Sequence, residues 1–331
     1  MRVNLYASLP HYADHLWPIW EQLPEQLRGV SIAARDGSWW GSSPYREAMP
    51  PGPVLVASYG DATSGNVRGR DLVYVEHGAG QTYGGDPAGV GAAGLSGTTA
   101  RGLDRVRLFV CPNEQVAERW RARGGNAVVA GCPKLDRWHV PRNAEPPPWL
   151  HPEDPVVAVT FHWDCTLLPE TRTAWPEYDQ VLPELAAWAR ANHVRLLGHG
   201  HPRIESQLRR RWAALEVTST SDLALVLENA DVLVADNTSA MYEFASLGRP
   251  VVAVNSSEYR RHVEHGLRFW SHVPGVQVDR PADLVATVAA QLADRTMGAE
   301  LRAAATTAAY AHTDGHAAER AARAIMETLC D

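Results

Sequence analysis

Short runs of valine, leucine and alanine recur along the chain and alternate with longer stretches whose apolar residues return every three or four positions. The first pattern predicts buried strands and the second helices with one apolar face. In the first half, strands are predicted at residues 2–7, 30–34, 54–58, 72–76, 107–111 and 127–130. A helix is predicted at 13–27, kinked or divided by Pro18 and Pro24, and another at 114–123, stopped by Gly124-Gly125. Six prolines between residues 141 and 155 interrupt the alternation, and that stretch is expected as a semi-rigid linker. The pattern then restarts, with strands at 156–160, 194–198, 215–218, 231–235 and 251–255. Helices are expected between them at 178–191, 204–211, 222–228 and 239–247. From residue 282 onward the chain is rich in alanine and helical, in three segments.

Such alternation is the signature of parallel α/β sheets. The expected organisation is a Rossmann-like unit over residues 1–140, the linker 141–155, and a second Rossmann-like unit with a helical tail over 156–331. Two such halves joined by a proline hinge predict a ligand cleft at the carboxyl ends of their strands.

Composition narrows the classes. The 331 residues are 45% hydrophobic and 21% charged, the balance of a globular protein of about two domains. A formal net charge of −7 argues against nucleic acid as a partner. The basic run Arg209-Arg210-Arg211 is either a solvated helix face or a local contact with a membrane surface or anionic substrate. Residues 1–10 lack the pattern of a signal peptide and no apolar run is long enough to cross a bilayer, so a cytoplasmic protein is expected. The four cysteines, Cys111, Cys132, Cys165 and Cys330, form no CxxC pair, which argues against a zinc site and a disulfide framework. Of 31 basic residues only Lys134 is a lysine, and it lies in a Gly-x-Pro-Lys turn.

The sharpest chemical signal runs from Asp231 to Glu243. A buried strand ends, a polar turn Asp236-Asn237-Thr238-Ser239 follows, and a helix begins near Ser239. Free N–H groups at a helix start attract anions, and the two hydroxyls add donors. Either phosphate binding or simple helix capping accounts for Thr238 and Ser239. Glu243, about one turn further on, is placed to accept hydrogen bonds from both hydroxyls of a ribose.

Histidines at strand ends are the second signal. His77 closes the strand at 72–76 and precedes Gly78-Ala79-Gly80, so it is either a general base beside a close-fitting substrate or a packed core histidine. His199-Gly-His201-Pro-Arg203 follows the strand at 194–198, where His201 and Arg203 can meet donor phosphates. An HxH pair also fits a metal, but no carboxylate or third histidine stands near it in sequence and no metal is expected. His162 is a weaker candidate. Lys134 is placed to neutralise a diphosphate, with Asp136 orienting it.

Four segments together resemble the CDP-glycerol glycerophosphotransferase family, the teichoic-acid primases and polymerases. They are His77-Gly78, Gly131-x-Pro-Lys134-x-Asp136, His201-Pro202, and Asp236-Asn-Thr-Ser-Ala-Met-Tyr-Glu243-Phe-Ala-Ser-Leu-Gly-Arg-Pro250. The resemblance implies a GT-B fold and transfer of glycerol phosphate from CDP-glycerol to an acceptor hydroxyl, with release of CMP and no cofactor. It implies catalytic roles for His77 and His201. It places donor binding on Lys134, Arg203, Asn237, Thr238, Ser239 and Glu243. The chain departs from the family where Ala79-Gly80-Gln81-Thr82 follows His-Gly, where Asn237 replaces a common tyrosine, and where Glu243 replaces a common aspartate. Glu243 with Leu-Gly-Arg-Pro250 also resembles glycosyltransferases and UDP-sugar 2-epimerases of the same fold, so a nucleotide-sugar donor is the alternative. The family's polymerases carry extra membrane-binding regions, for which this chain is too short.

Overall fold

The computed structural model describes residues 1–33, 45–79, 104–140, 154–166, 169–262 and 270–330. The linker expected at 141–155 lies outside them except for residues 154 and 155. The chain forms two compact units, one of Met1–Pro141 with Ala309–Asp331 and the other of Arg142–Ala308.

In the first unit, strands β1 (Val3–Ala7), β2 (Arg28–Ala33), β3 (Val54–Val56), β4 (Leu72–Val75), β5 (Val106–Cys111) and β6 (Ala127–Val129) form one sheet. Its order is β2-β1-β3-β4-β5-β6 and every pair is parallel. Side chains alternate between its faces. Val3, Leu5 and Ala7 share one core with Leu16 and Ile19 of the helix Pro10–Gln22 and with Ala321 and Ile325 of the helix Ala317–Cys330. Tyr6 and Tyr74 enter the core on the other face with Phe109 and Trp120. Each such side chain removed from water contributes roughly 1.5–3 kcal/mol.

The structure differs from the sequence expectation at the tail: the pattern places it whole in the second unit, but its last segment packs on the first sheet. The reason is the apolar stripe Ala318, Ala321, Ala322 and Ile325, which completes the core beneath the helix Pro10–Gln22. That first helix also starts earlier than the expected 13–27. Pro10 suits the first helical turn, where its missing N–H costs nothing. Pro18 lies inside the helix, which ends at Gln22 because Leu23, preceding Pro24, is held extended.

In the second unit, β7 (Val156–Thr160), β8 (Arg195–Gly198), β9 (Thr218–Ser219), β10 (Val232–Ala235), β11 (Val251–Val254) and β12 (Val276–Val278) lie in the order β12-β11-β10-β7-β8-β9, again all parallel. This is the doubly wound order, which reverses direction between β7 and β10. The helix expected at 178–191 is divided into Trp175–Tyr178, a turn, and Leu182–Ala191. Pro183 accounts for the break, since it fits only the first turn of the second piece. The short strand β12 was not expected; its three residues Val-Gln-Val are too few to signal.

Candidate functional site

In a doubly wound sheet a crevice opens where the strand order reverses, outside the carboxyl ends of the strands. In the second unit that point lies between β7 and β10, and the sequence places chemistry at both ends. β10 ends in Asp236, which is buried. Its carboxylate accepts from the backbone N–H of His162 at 2.7 Å, the hydroxyl of Thr173 at 3.0 Å and the N–H of Ala174 at 3.0 Å. Asp236 therefore ties the segment after β7 to the end of β10. Asn237 donates its side-chain amide to the carbonyl of Glu170 at 2.5 Å.

Glu170 is fully buried and pairs with Arg260 through two bonds of 2.7 and 2.8 Å, and it also accepts the Arg260 backbone N–H at 2.9 Å. Burial opposes its ionisation, but these bonds outweigh it and hold the carboxyl below its usual range. The wall of the site is thus fixed by two buried carboxylates that are both well bonded.

The helix that follows the turn is Ala240–Ala245, with Ser239 at its N-cap, as the sequence predicted. Ser239 makes no side-chain capping bond, and the Thr238 oxygen accepts from Ala240 N–H only at 3.5 Å. Thr238 thus caps the helix start only through a long bond, and Ser239 does not cap it through its side chain. The helix has only six residues, so its dipole is small and the hydroxyls and local N–H groups matter more. Glu243 is 2% exposed and so is no ordinary surface glutamate.

β8 delivers the histidines. The His199 ring bonds the Thr160 hydroxyl at 2.7 Å, and the His201 backbone N–H reaches the Phe161 carbonyl at 2.9 Å. A Cβ at Gly200 between them would stand 2.1 Å from a Leu208 methyl, so a larger residue there requires the Leu208 side chain to move. The Nδ1 of His201 accepts the Arg203 N–H at 3.2 Å, which puts the proton of the neutral ring on Nε2 and makes that atom a donor. The Arg203 guanidinium lies 4.2 Å from the Trp163 ring centre, a favourable cation–π contact. His162, rated the weakest histidine from sequence, stands 5.2 Å from His201 between ring centres and donates Nδ1–H to the Thr171 carbonyl at 3.3 Å. His201 and Arg203 therefore follow β8, and Asn237, Thr238, Ser239 and Glu243 follow β10, the two strands that flank β7 at the carboxyl edge of the second sheet.

The first unit holds a second cluster. His77 follows β4 and is half-buried, and Gly78 takes the left-handed conformation with φ 62° that glycine adopts without strain. The His77 ring meets Tyr12 edge-on at 5.3 Å and His15 at 6.3 Å. Both come from the helix Pro10–Gln22, which starts just past the end of β1. Sequence reasoning passed over them; the available signal was His11 and His15 four residues apart, on one helix face directly after a strand.

Lys134 is 7% exposed and so is no ordinary surface lysine. Burial first, then the charge of Lys134 with smaller contributions from His77 and His11, keeps the His15 imidazole well below its normal range. Lys134 and His77 are thus both neighbours of His15. Asp136 does not orient Lys134 as expected. Its carboxylate accepts from the N–H groups of Ala317 at 3.0 Å and Ala318 at 2.7 Å, capping the last helix.

Among the described residues no group of three or more His, Cys, Asp or Glu side chains comes together as metal ligands would. Among them, too, no helix is long and apolar enough to cross a membrane.

Two units of parallel α/β sheet, with polar clusters at their strand ends, define the class, and solved structures give it a fold. The wall teichoic acid polymerase TagF, in a variant soaked with CDPG, aligns with a TM-score of 0.67 and 13% identity over 99% of this chain and 89% of that one. MnaA of S. aureus, in a co-structure with UDP, aligns with 0.64 and 13% over 99% and 97%. A putative UDP-N-acetylglucosamine 2-epimerase from Listeria monocytogenes gives 0.60 and 16% over 99% and 96%. The fold is GT-B, as expected. No curated protein matches the chain in sequence.

The match in sequence covers most of the second unit and runs into the last helix. Residues 177–327 match the family described as CDP-Glycerol:Poly(glycerophosphate) glycerophosphotransferase. The resemblance read from the motifs is borne out over that stretch. The matched residues include His201, Arg203 and the whole turn from Asp236 to Glu243, whereas His77 and Lys134 lie outside them.

Proposed function

We propose that the protein transfers a polyol phosphate, of the glycerol phosphate type, from a CDP-linked donor to an acceptor hydroxyl in the synthesis of a teichoic-acid-like polymer. The observation that carries the reading is the donor-type site at the reversal point of the second sheet, inside the stretch matched by the family. There the donor Nε2–H of His201, the guanidinium of Arg203 and the turn Asn237-Thr238-Ser239 bind the diphosphate. Glu243 accepts from the ribose hydroxyls, and Lys134 supplies a further positive charge.

In this reaction His77 takes the proton of the acceptor hydroxyl as its oxygen attacks the distal phosphorus. The bond from that phosphorus to the bridging oxygen breaks and the electron pair leaves on CMP. Charge on the departing phosphate is met by His201, Arg203 and the turn, and such preorganised donors contribute most of the acceleration in phosphoryl transfer. This reading puts the protein in the cytoplasm, with peripheral contact to the inner face of the membrane where the acceptor is membrane-borne. Co-sedimentation with liposomes tests that contact.

A screen of thermal stabilisation by CMP, CDP, UDP, GDP, CDP-glycerol and UDP-sugars tests the donor. Stabilisation by cytidine nucleotides, greatest with CDP-glycerol, is the expected result. Stabilisation by UDP-sugars alone moves the assignment to the nucleotide-sugar enzymes of the same fold.

A further inference from the structure

His15 is a buried histidine, 3% exposed, that no motif of the donor site or of the base turn includes. Both of its ring nitrogens are engaged, each by a different segment. Nε2 accepts the backbone N–H of Gly78 at 3.4 Å, a long bond. Nδ1 stands 3.8 Å from the sulfur of Cys132, a free thiol. An amide N–H only donates, so Nε2 carries no proton, and the single proton of the neutral ring sits on Nδ1 facing the sulfur. Burial and the charge of Lys134 favour that neutral form.

The two segments joined in this way are the two first-unit motifs. Gly78 follows the candidate base His77, and Cys132 lies in the turn Gly131-Cys-Pro-Lys134 that presents the only lysine of the chain. The helix carrying His15 also packs on the turn Pro133–Leu135, so the bridge is anchored at both ends by the same element.

We propose that His15 is a positioning residue for the transfer reaction, bridging the His77-Gly78 turn to the Lys134 turn through its two ring nitrogens. It touches neither substrate nor reacting atoms. Its role is to hold Gly78 in the left-handed conformation on which His77 is presented, and to fix the spacing between that imidazole and the lysine turn. A general base works only within hydrogen-bond reach of its proton, and small displacements of catalytic groups cost large factors in rate. The proposal rests on the reading of His77 as the base, and the experiment separates the two.

Turnover of CDP-glycerol is measured, per folded protein, for His15→Leu, His15→Gln, His77→Ala and the double variant His15→Leu with His77→Ala. His15→Leu removes both contacts and is expected to lower kcat by roughly 10- to 100-fold with donor KM within twofold. The Gln side chain restores an acceptor near the Nε2 position, so His15→Gln recovers at least half of the lost factor on a logarithmic scale. In the His77→Ala background the His15→Leu change alters the remaining rate less than threefold, because the group it positions is gone.

Unchanged kcat in His15→Leu overturns the proposal. So does an equal loss with and without His77, which is the mark of a general structural role. Full turnover by His77→Ala overturns the base assignment and the positioning role with it. The ¹⁵N signals of histidine rings then report the bridge alone: a neutral His15 protonated on Nδ1 shows that it exists, and an Nε2-protonated ring shows that it does not.

Discussion

The two units solve the problem of charge at a sheet edge in opposite ways. In the second, the buried carboxylates of Asp236 and Glu170 are fully engaged, one by three donors and the other by Arg260. In the first, burial raises the carboxyls of Asp61 to about 6 and Glu76 to about 7, and the bonds they receive do not restore them. One oxygen of Asp61 is buried with no hydrogen-bond partner, and Glu76 accepts one indole N–H, from Trp120 at 2.8 Å. Burial and the charge of Lys134 likewise favour the neutral form of His15. The second unit thus holds its buried carboxylates in a bonded frame, and the first is an environment that disfavours their ionisation.

This contrast can be broken unit by unit. The largest effect is expected from Asp236→Ala, which strands three buried donors at once. It should cost about 3–5 kcal/mol, read as an early transition in urea with the unfolding signal of the second unit, and it should abolish donor binding. Glu243→Gln keeps the size and burial of the side chain and removes only its charge. CDP-glycerol affinity is expected to fall by about tenfold to a hundredfold, with kcat nearly unchanged, as titration calorimetry and saturation kinetics would show.

Glu76→Gln probes the other unit. A carboxyl whose folded pKa lies above its unfolded value binds more protons when folded, so stability is lost as pH rises from about 4.5 through about 7. The neutral amide escapes that loss. Glu76→Gln is expected to be more stable than the parent by about 1–3 kcal/mol at pH 8 and no more stable at pH 4.5, compared by urea unfolding at the two values. His15 has the opposite sign. Its lowered value means that stability is complete above pH 6.5 and declines below it, as the unfolded chain takes up a proton that the folded ring refuses.

Most of the fold was legible because parallel strands buried on both faces leave unmistakable valine-rich runs. β12 escaped because a strand of three residues carries no periodicity. The last segment of the tail covers the first sheet because its alanine stripe meets the core beneath the first helix and Asp136 caps its N-terminus, partners that lie far from it in sequence.

At the candidate site, His201, Arg203 and the turn at Asp236–Glu243 were visible as strand-end motifs. Asp136 was misread for a related reason: a carboxylate two residues from a lysine suggests a pair, while its partners are backbone N–H groups more than 180 residues away. The bridge made by His15 joins three segments distant in sequence, and no local pattern encodes it.

The central claim is that the second unit binds the donor and His77 of the first moves the acceptor proton. ³¹P NMR of CDP-glycerol incubated with a hydroxyl acceptor tests it most directly, following release of CMP by the parent protein and by His77→Ala. The account predicts acceptor-dependent CMP release by the parent. It predicts a loss of roughly 10²–10⁴ in rate for the variant, with CDP-glycerol still bound at unchanged affinity. Release of CMP by the variant at the parental rate, or loss of donor binding along with activity, would contradict it.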